Sequence, residues 1–164
     1  MSTYFHYAGI KLAPGSVIEP GNWGRMIHLY PHNADPNNAW RLAMELVFEE
    51  ARKRKDTRLP SRLSSCFVFE SRESAQAAGQ GMNGHWNVLY EVELVDPDLP
   101  RHRADFDLMT ACMRQDGAVF LEKARAFAVS YWAGEVAGTP EVLTGSSLRV
   151  LRAVHPATLG STPK

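Results

Sequence analysis

The stretch Thr139-Pro-Glu-Val-Leu-Thr-Gly-Ser-Ser-Leu-Arg-Val-Leu-Arg-Ala-Val154 decides how this chain is read. Val142 and Leu143, and then Leu148 to Val154, are short apolar runs rich in branched residues, which favours extended backbone. They read as paired or consecutive strands that close the fold. A carboxylate, Glu141, stands at the entrance to the first of them. Immediately upstream an aromatic-rich helix ends at Tyr131-Trp132-Ala133-Gly134.

Working outward, Thr3 to Ala8 is an aromatic strand, and Lys11 to Arg25 is mostly loop, with two prolines, three glycines and a short extended piece around Val17. Asp35-Pro36 has the form of an N-cap followed by proline at the first helical position. Trp40, Ala43, Val47 and Ala51 then recur at three or four residues, as an amphipathic helix requires. Ser64 to Glu70 is a second strand and Glu73 to Ala78 a short helix closed by glycines. Trp86 to Val95 is a third strand, broken by Asp96-Pro-Asp-Leu-Pro100. Phe106 to Met113 reads as a helix. Asp116 caps another, which carries Phe120, Ala124, Phe127, Ala128 and Tyr131 on one stripe. No glycine-rich loop joins a strand to a helix, and strands and helices do not alternate regularly. The expected fold is α+β, built on a mainly antiparallel sheet with flanking helices. Residues 1–155 form a single domain in this reading, with 156–164 a loose tail.

Apolar residues make up 45% of the 164, enough for a core and too many for a disordered chain. Lys plus Arg equals Asp plus Glu at 18 each, so no global basic field marks the chain as a nucleic-acid binder. Two cysteines, Cys66 and Cys112, make no disulfide framework, and Cys66 reads as a small buried hydrophobe. No apolar run approaches the roughly 18 residues of a membrane span, and no basic-then-apolar leader opens the chain. The expected location is the cytoplasm, or a target cell reached by a specialised secretion system.

Several groups have both a structural and a chemical reading. Glu141 is either a solvated strand-start residue or a carboxylate placed to stabilise a cationic carbon, and Glu135 is a less firmly placed competitor. His6 shares a strand face with Tyr4 and is either a satisfied core residue or a hydrogen-bonding partner for a ribose. In Pro60-Ser-Arg-Leu-Ser-Ser65, Arg62 offers a planar fork for a diphosphate, and Ser64 and Ser65 offer hydroxyls. In Glu19-Pro-Gly-Asn-Trp-Gly-Arg25, Trp23 supplies a stacking face and Arg25 a charge, in a loop that would equally suit a pinned structural turn. Arg52, Lys53, Arg54, Lys55, Arg58 and Arg62 form a basic run, either a solvated helix end or a patch for nucleic-acid phosphates. His28, His32, His85 and His102 lack zinc-site spacing, so no metal is expected.

Three of these motifs, Tyr4-Phe-His6, Pro20-Gly-Asn-Trp-Gly-Arg25 and Pro60-Ser-Arg-Leu63, resemble a bacterial branch of the ADP-ribosyltransferase superfamily. The run from Phe67 to Leu94, with its Glu-Ser-x-Glu-x-Ala helix and Tyr-Glu-Val-Glu strand, is similar to the core of that superfamily, and the late Glu-Val-Leu strand is similar to its catalytic strand. The resemblance spans about Thr3 to Val154. It implies a split antiparallel sheet whose cleft holds NAD as substrate. It also implies Glu141 as the catalytic carboxylate and His6, Arg62, Ser64, Tyr90, Trp23 and Arg25 as cofactor-binding residues. Thr139 stands two positions before Glu141, where arginine-modifying members carry an acidic residue or Gln. The resemblance therefore implies a nucleic-acid acceptor, RNA or DNA, ahead of protein arginine. It implies a toxin or defence effector, with an antitoxin or immunity protein as partner. Hydrolysis of NAD by water and a non-catalytic binding module on the same fold are the alternatives.

Overall fold

The structure is a computed structural model that describes residues 2–29, 36–81, 87–113 and 121–154. Seven strands and five helices are described: β1 (Thr3–Ala8), β2 (Val17–Ile18), α1 (Asn22–Leu29), α2 (Pro36–Lys55), β3 (Cys66–Val68), α3 (Arg72–Gly81), β4 (Val88–Leu94), β5 (Arg101–Asp105), α4 (Phe106–Met113), α5 (Leu121–Ala133), β6 (Pro140–Thr144) and β7 (Leu148–Ala153). A single 3-10 turn, Arg62–Ser64, precedes β3.

The strands form two antiparallel sheets, ordered β1-β4-β7-β2 and β3-β6-β5. The fold is α+β, as the order of elements predicts. β1 and β4 pair along their whole length, from Thr3 opposite Glu93 to Ala8 opposite Val88. An isolated bridge between Phe5 and Phe69 ties the two sheets together.

Side-chain alternation along the strands distributes three cores. Tyr4, Tyr90, Val92, Leu148 and Val150 of the first sheet pack with Cys66, Val68 and Val142 of the second. On the opposite face of the second sheet, Ala104 and Leu143 meet Met44 and Phe48 of α2, Cys112 of α4, and Ala128, Tyr131 and Trp132 of α5. The third core lies under α3, where Ala75 and Ala78 cover Phe69 and Leu89. Two indoles lock the helical layer by donating to carbonyls, Trp132 to Phe48 at 2.6 Å and Trp40 to Cys112 at 2.7 Å. A buried indole N–H needs such a partner.

Three expectations need correction. The segment read as loop up to Arg25 contains the start of α1. Pro20, Gly21 and Gly24 look like breakers, yet Gly21 holds a positive φ of 85° at the helix start and its carbonyl accepts from Arg25 N–H at 3.0 Å. Strand β5 was not foreseen, because Arg101-His-Arg-Ala-Asp105 has few apolar residues; His102 and Ala104 are buried and Arg101 and Arg103 exposed, so the period-2 pattern is carried by one imidazole and one methyl. Of the two arrangements open for β6 and β7, paired or consecutive strands, the second holds, each belonging to a different sheet. The strand read over Ser64 to Glu70 is shorter, and begins only after the 3-10 turn. In α2 the buried side chains are Met44, Glu45, Phe48 and Arg52, while Ala43 is exposed. Asp35, Trp86, Asp116, Phe120 and the tail 156–164 lie outside the described residues.

Candidate functional site

Glu141 is the second residue of β6, opposite Ala104 of β5. It shares its strand face with Leu143, so it points into the helical layer and not between the sheets. It is only 2% exposed. Its Oε1 accepts from the hydroxyl of Tyr131 at 2.7 Å and from Nη1 of Arg62 at 3.0 Å.

Arg62 is delivered by the 3-10 turn. That turn is capped by Ser61, whose hydroxyl accepts from Leu63 N–H. The guanidinium is buried at 8% exposure and uses both its edges. Nε donates to Glu45 at 3.1 and 3.2 Å, while Nη1 donates to Tyr131 Oη at 2.6 Å as well as to Glu141. Its Cζ lies over the rings of Phe67 and Tyr131, 4.8 and 5.2 Å from their centroids. Glu45, with no exposed surface, completes the cluster from the middle of α2 and accepts from Trp23 Nε1 at 2.6 Å. Five elements thus meet: α1 through Trp23, α2 through Glu45, the 3-10 turn through Arg62, α5 through Tyr131 and β6 through Glu141.

Two carboxylates surround one guanidinium here. Burial works against charge on Arg62, yet Glu45, Tyr131 and Glu141 hold its pKa above the ordinary guanidinium value. Burial raises the pKa of Glu141, an effect that Arg62 and Tyr131 oppose and the neighbouring Glu45 reinforces. Burial also raises that of Tyr131 well above the ordinary phenol value.

Beside this cluster an open cavity of about 540 Å³ is lined by Pro20, Gly21, Gly24, Arg25, His28, Leu63 and Ser64. Gly24 lets α1 approach the 3-10 turn, because a Cβ there would lie 2.0 Å from the Leu63 carbonyl oxygen. Arg25 donates to the Pro20 carbonyl and to Asn22 Oδ1. Ser64 is exposed on the cavity wall, whereas Ser65 is buried and donates to Ser61 O at 2.6 Å.

The structure therefore brings Arg62 and Glu141 into contact, joins Trp23 to them through Glu45, and sets Arg25 and Ser64 on the adjoining cavity. His6 is one step removed: its Nδ1 bonds the carbonyl of Phe67, whose ring underlies Arg62. Tyr90 stands apart. It is buried between the sheets, its hydroxyl accepting from Leu12 N–H and donating to Ile10 O, so it fastens the loop after β1. Glu135 is exposed after α5.

The basic run is largely occupied by its own neighbours. Arg52 is buried and holds Glu49 and the carbonyls of Thr57 and Leu59. Arg54 pairs with Glu50 and Arg58 with Asp56. Among the described residues no cluster of three or more His, Cys, Asp or Glu side chains could hold a metal ion, and no helix is long and apolar enough to cross a membrane.

Sequence reasoning missed Glu45 and gave Tyr131 only a packing role. A signal for Glu45 exists: it is the one charged residue between Leu42 and Phe48, an otherwise apolar run in the helix.

Residues 25–156 match the family model described as "Protein of unknown function (DUF2441)". The chain belongs to this family. The matched DUF2441 region contains Glu45, Arg62, Tyr131 and Glu141, while His6 and Trp23 precede it. No curated protein matches the chain.

Proposed function

We propose that this chain is an NAD-dependent ADP-ribosyltransferase with the split antiparallel core of that superfamily. The observation that carries the reading is the contact between Arg62 and Glu141, two residues selected independently by motif, beside an open cavity. In the proposed reaction the bond between the nicotinamide nitrogen and the ribose carbon breaks, and its electron pair leaves with nicotinamide. The ribose carbon becomes oxocarbenium-like, and a carboxylate beside it stabilises that charge. A nucleophile on the acceptor then bonds the same carbon and gives up its proton. Glu141 is the carboxylate. Arg62, Arg25 and Ser64 hold the diphosphate and ribose hydroxyls, and Trp23 borders the nicotinamide end. Because Glu141 is buried, NAD reaches it only when the Arg62–Ser64 turn and α1 part from α5.

Thr139 at two positions before Glu141 supports a nucleic-acid acceptor over protein arginine, in a toxin or defence effector restrained by an antitoxin or immunity protein. The test is incubation with labelled NAD and a cell lysate, in parallel with Glu141→Gln. Label released by nuclease identifies a nucleic-acid acceptor, and label released by protease identifies a protein. Free nicotinamide without attached label identifies a glycohydrolase. Growth arrest on expression, relieved by Glu141→Gln, identifies a toxin.

The burial of Glu141, with its carboxylate engaged by Arg62 and Tyr131, favours a second reading: a non-catalytic module in which the cluster only holds the fold. No turnover of NAD in any fraction, together with a binding activity that Glu141→Gln leaves unchanged, would select it.

A further inference from the structure

We infer that Glu45 is a positioning residue that sets the charge of Glu141 through the guanidinium they share, and that the pair of carboxyls keeps one proton, carried by Glu141, while the cluster is closed. The charge count motivates this. Among the described residues Arg62 is the one cation bonded to the two carboxyls, and Glu45, Arg62 and Glu141 are at most 8% exposed. Both ionised, the two carboxylates would leave one uncompensated negative charge out of water, a state that proteins avoid by neutralising a group. Glu45 is the better-solvated of the two by protein donors, because both its oxygens receive Arg62 Nε and one also receives the Trp23 indole. It thereby turns the Nη1 edge of Arg62 toward Glu141 and Tyr131.

Among the described residues no second cation is bonded to either carboxyl. From α5 Glu141 faces Tyr131, from the 3-10 turn Arg62, and from α2 Glu45. On β5, His102 is engaged with the Tyr131 carbonyl and Asp105 with the amides of Ala137 and Gly138. On α4, the buried Cys112 thiol has its pKa pushed up to about 11 and is neutral. The direction in which burial and Glu45 move Glu141 agrees with this count. For the NAD chemistry proposed above, on which this consequence rests, the proton of Glu141 must leave to solvent as the cluster opens, before the carboxylate can face a ribosyl cation. Glu45 therefore governs when Glu141 becomes charged.

The experiment reads protonation and not turnover, so it can fail while the enzymatic reading stands, and the reverse. Thermal or urea stability is measured against pH for the full chain, Glu141→Gln, Glu45→Gln and the double variant. A carboxyl whose folded pKa is raised contributes stability that is complete below its unfolded pKa and is lost as pH rises through the folded one. The stability of the full chain relative to Glu141→Gln is thus expected to decline as pH rises above the ordinary carboxylate range. In the Glu45→Gln background that decline is expected to move to lower pH, because the like charge is gone. A difference that grows with rising pH would overturn the assignment of the proton. A Glu45→Gln variant that loses stability equally at every pH, leaving the decline where it was, would reduce Glu45 to a structural residue. Should Glu45→Gln not fold, infrared spectra of the other two proteins decide: a protonated-carboxyl stretch above the ordinary carboxylate range, missing from Glu141→Gln, is expected, and its absence from the full chain overturns the inference.

Discussion

Arg62 and Glu141 lie 79 positions apart in the chain and meet at 3.0 Å in a site from which solvent is excluded. A charge could not stay there uncompensated. The pair exists because the 3-10 turn and β6 bring the two side chains together, with Glu45 and Tyr131 taking up the remaining hydrogen bonds. The core around Phe48 and Tyr131 closes over them, with these two rings edge to face at 5.3 Å.

Removing the cation should be severe. Arg62→Met leaves Glu45 and Glu141 facing each other without a counter-charge, and breaking a buried pair from one side costs about 3–5 kcal/mol. Arg62→Lys should recover only part of this, since an ammonium cannot present two edges to Glu45 and Glu141 at once. Urea denaturation midpoints at constant m-value measure both. A loss within the range of ordinary surface substitutions would show that the cluster is not a structural keystone.

Gly24→Ala should force α1 away from the 3-10 turn, because the new methyl would overlap the Leu63 carbonyl. Overpacking of this kind costs about 1–3 kcal/mol. Gly15→Ala is the matched control: φ is +86° and nothing lies within 4 Å, so only backbone strain of roughly 1–2 kcal/mol applies. If Gly24→Ala leaves the unfolding midpoint where it was, the close approach at Gly24 is not what sets the position of α1.

The turn before β6 hangs from two carboxylates. Asp105 accepts from the amides of Ala137 and Gly138 at 3.0 and 2.7 Å, and Asp107 accepts from the amide and hydroxyl of Thr139. Asp105 is 3% exposed and also accepts from the amide of Asp107, so Asp105→Ala removes the acceptor of three backbone donors and should cost about 1–3 kcal/mol. Hydrogen exchange at Ala137 and Gly138 should accelerate, whereas exchange at β1 should not.

Acid should weaken the fold through two histidines. Burial lowers the pKa of His6 below the ordinary 6.5 and outweighs the Phe67 carbonyl; the same balance, with the Tyr131 carbonyl, lowers that of His102. The unfolded chain then takes up protons first, so stability is complete above pH 6.5 and falls as pH drops from there through the folded values. A His6→Gln, His102→Gln double variant should lose that slope even if it is less stable throughout. An unchanged slope between pH 6.5 and the onset of carboxylate titration would remove both rings from the account.

Much of the architecture was legible because it rests on local patterns. β1, α4 and the extent of α2 follow from period and breaker signals that act within a few residues. Where those signals conflict with tertiary demands the reading slipped. Gly21 and Gly24 signal a loop, yet one supplies the left-handed turn into α1 and the other the space for its packing. β5 has too few apolar residues to announce itself, and is held by pairing with β6 along Arg101 to Asp105.

For the site, the sequence by itself determined which residues carry chemical capability: a carboxylate at the start of a late strand, an arginine ahead of a middle strand, an indole and a second arginine between glycines. Only the tertiary structure decided which of them meet, which face Glu141 presents, and that Glu45 and Tyr131 join it. The reason is physical. A side chain's capability is set by its own atoms, whereas its partner, its exposure and its charge are set by which elements pack around it. Tyr90 and Tyr131 illustrate the difference. Both are almost fully buried aromatic residues on the inner faces of their elements, yet one hydroxyl fastens the loop after β1 and the other joins the Arg62–Glu141 pair.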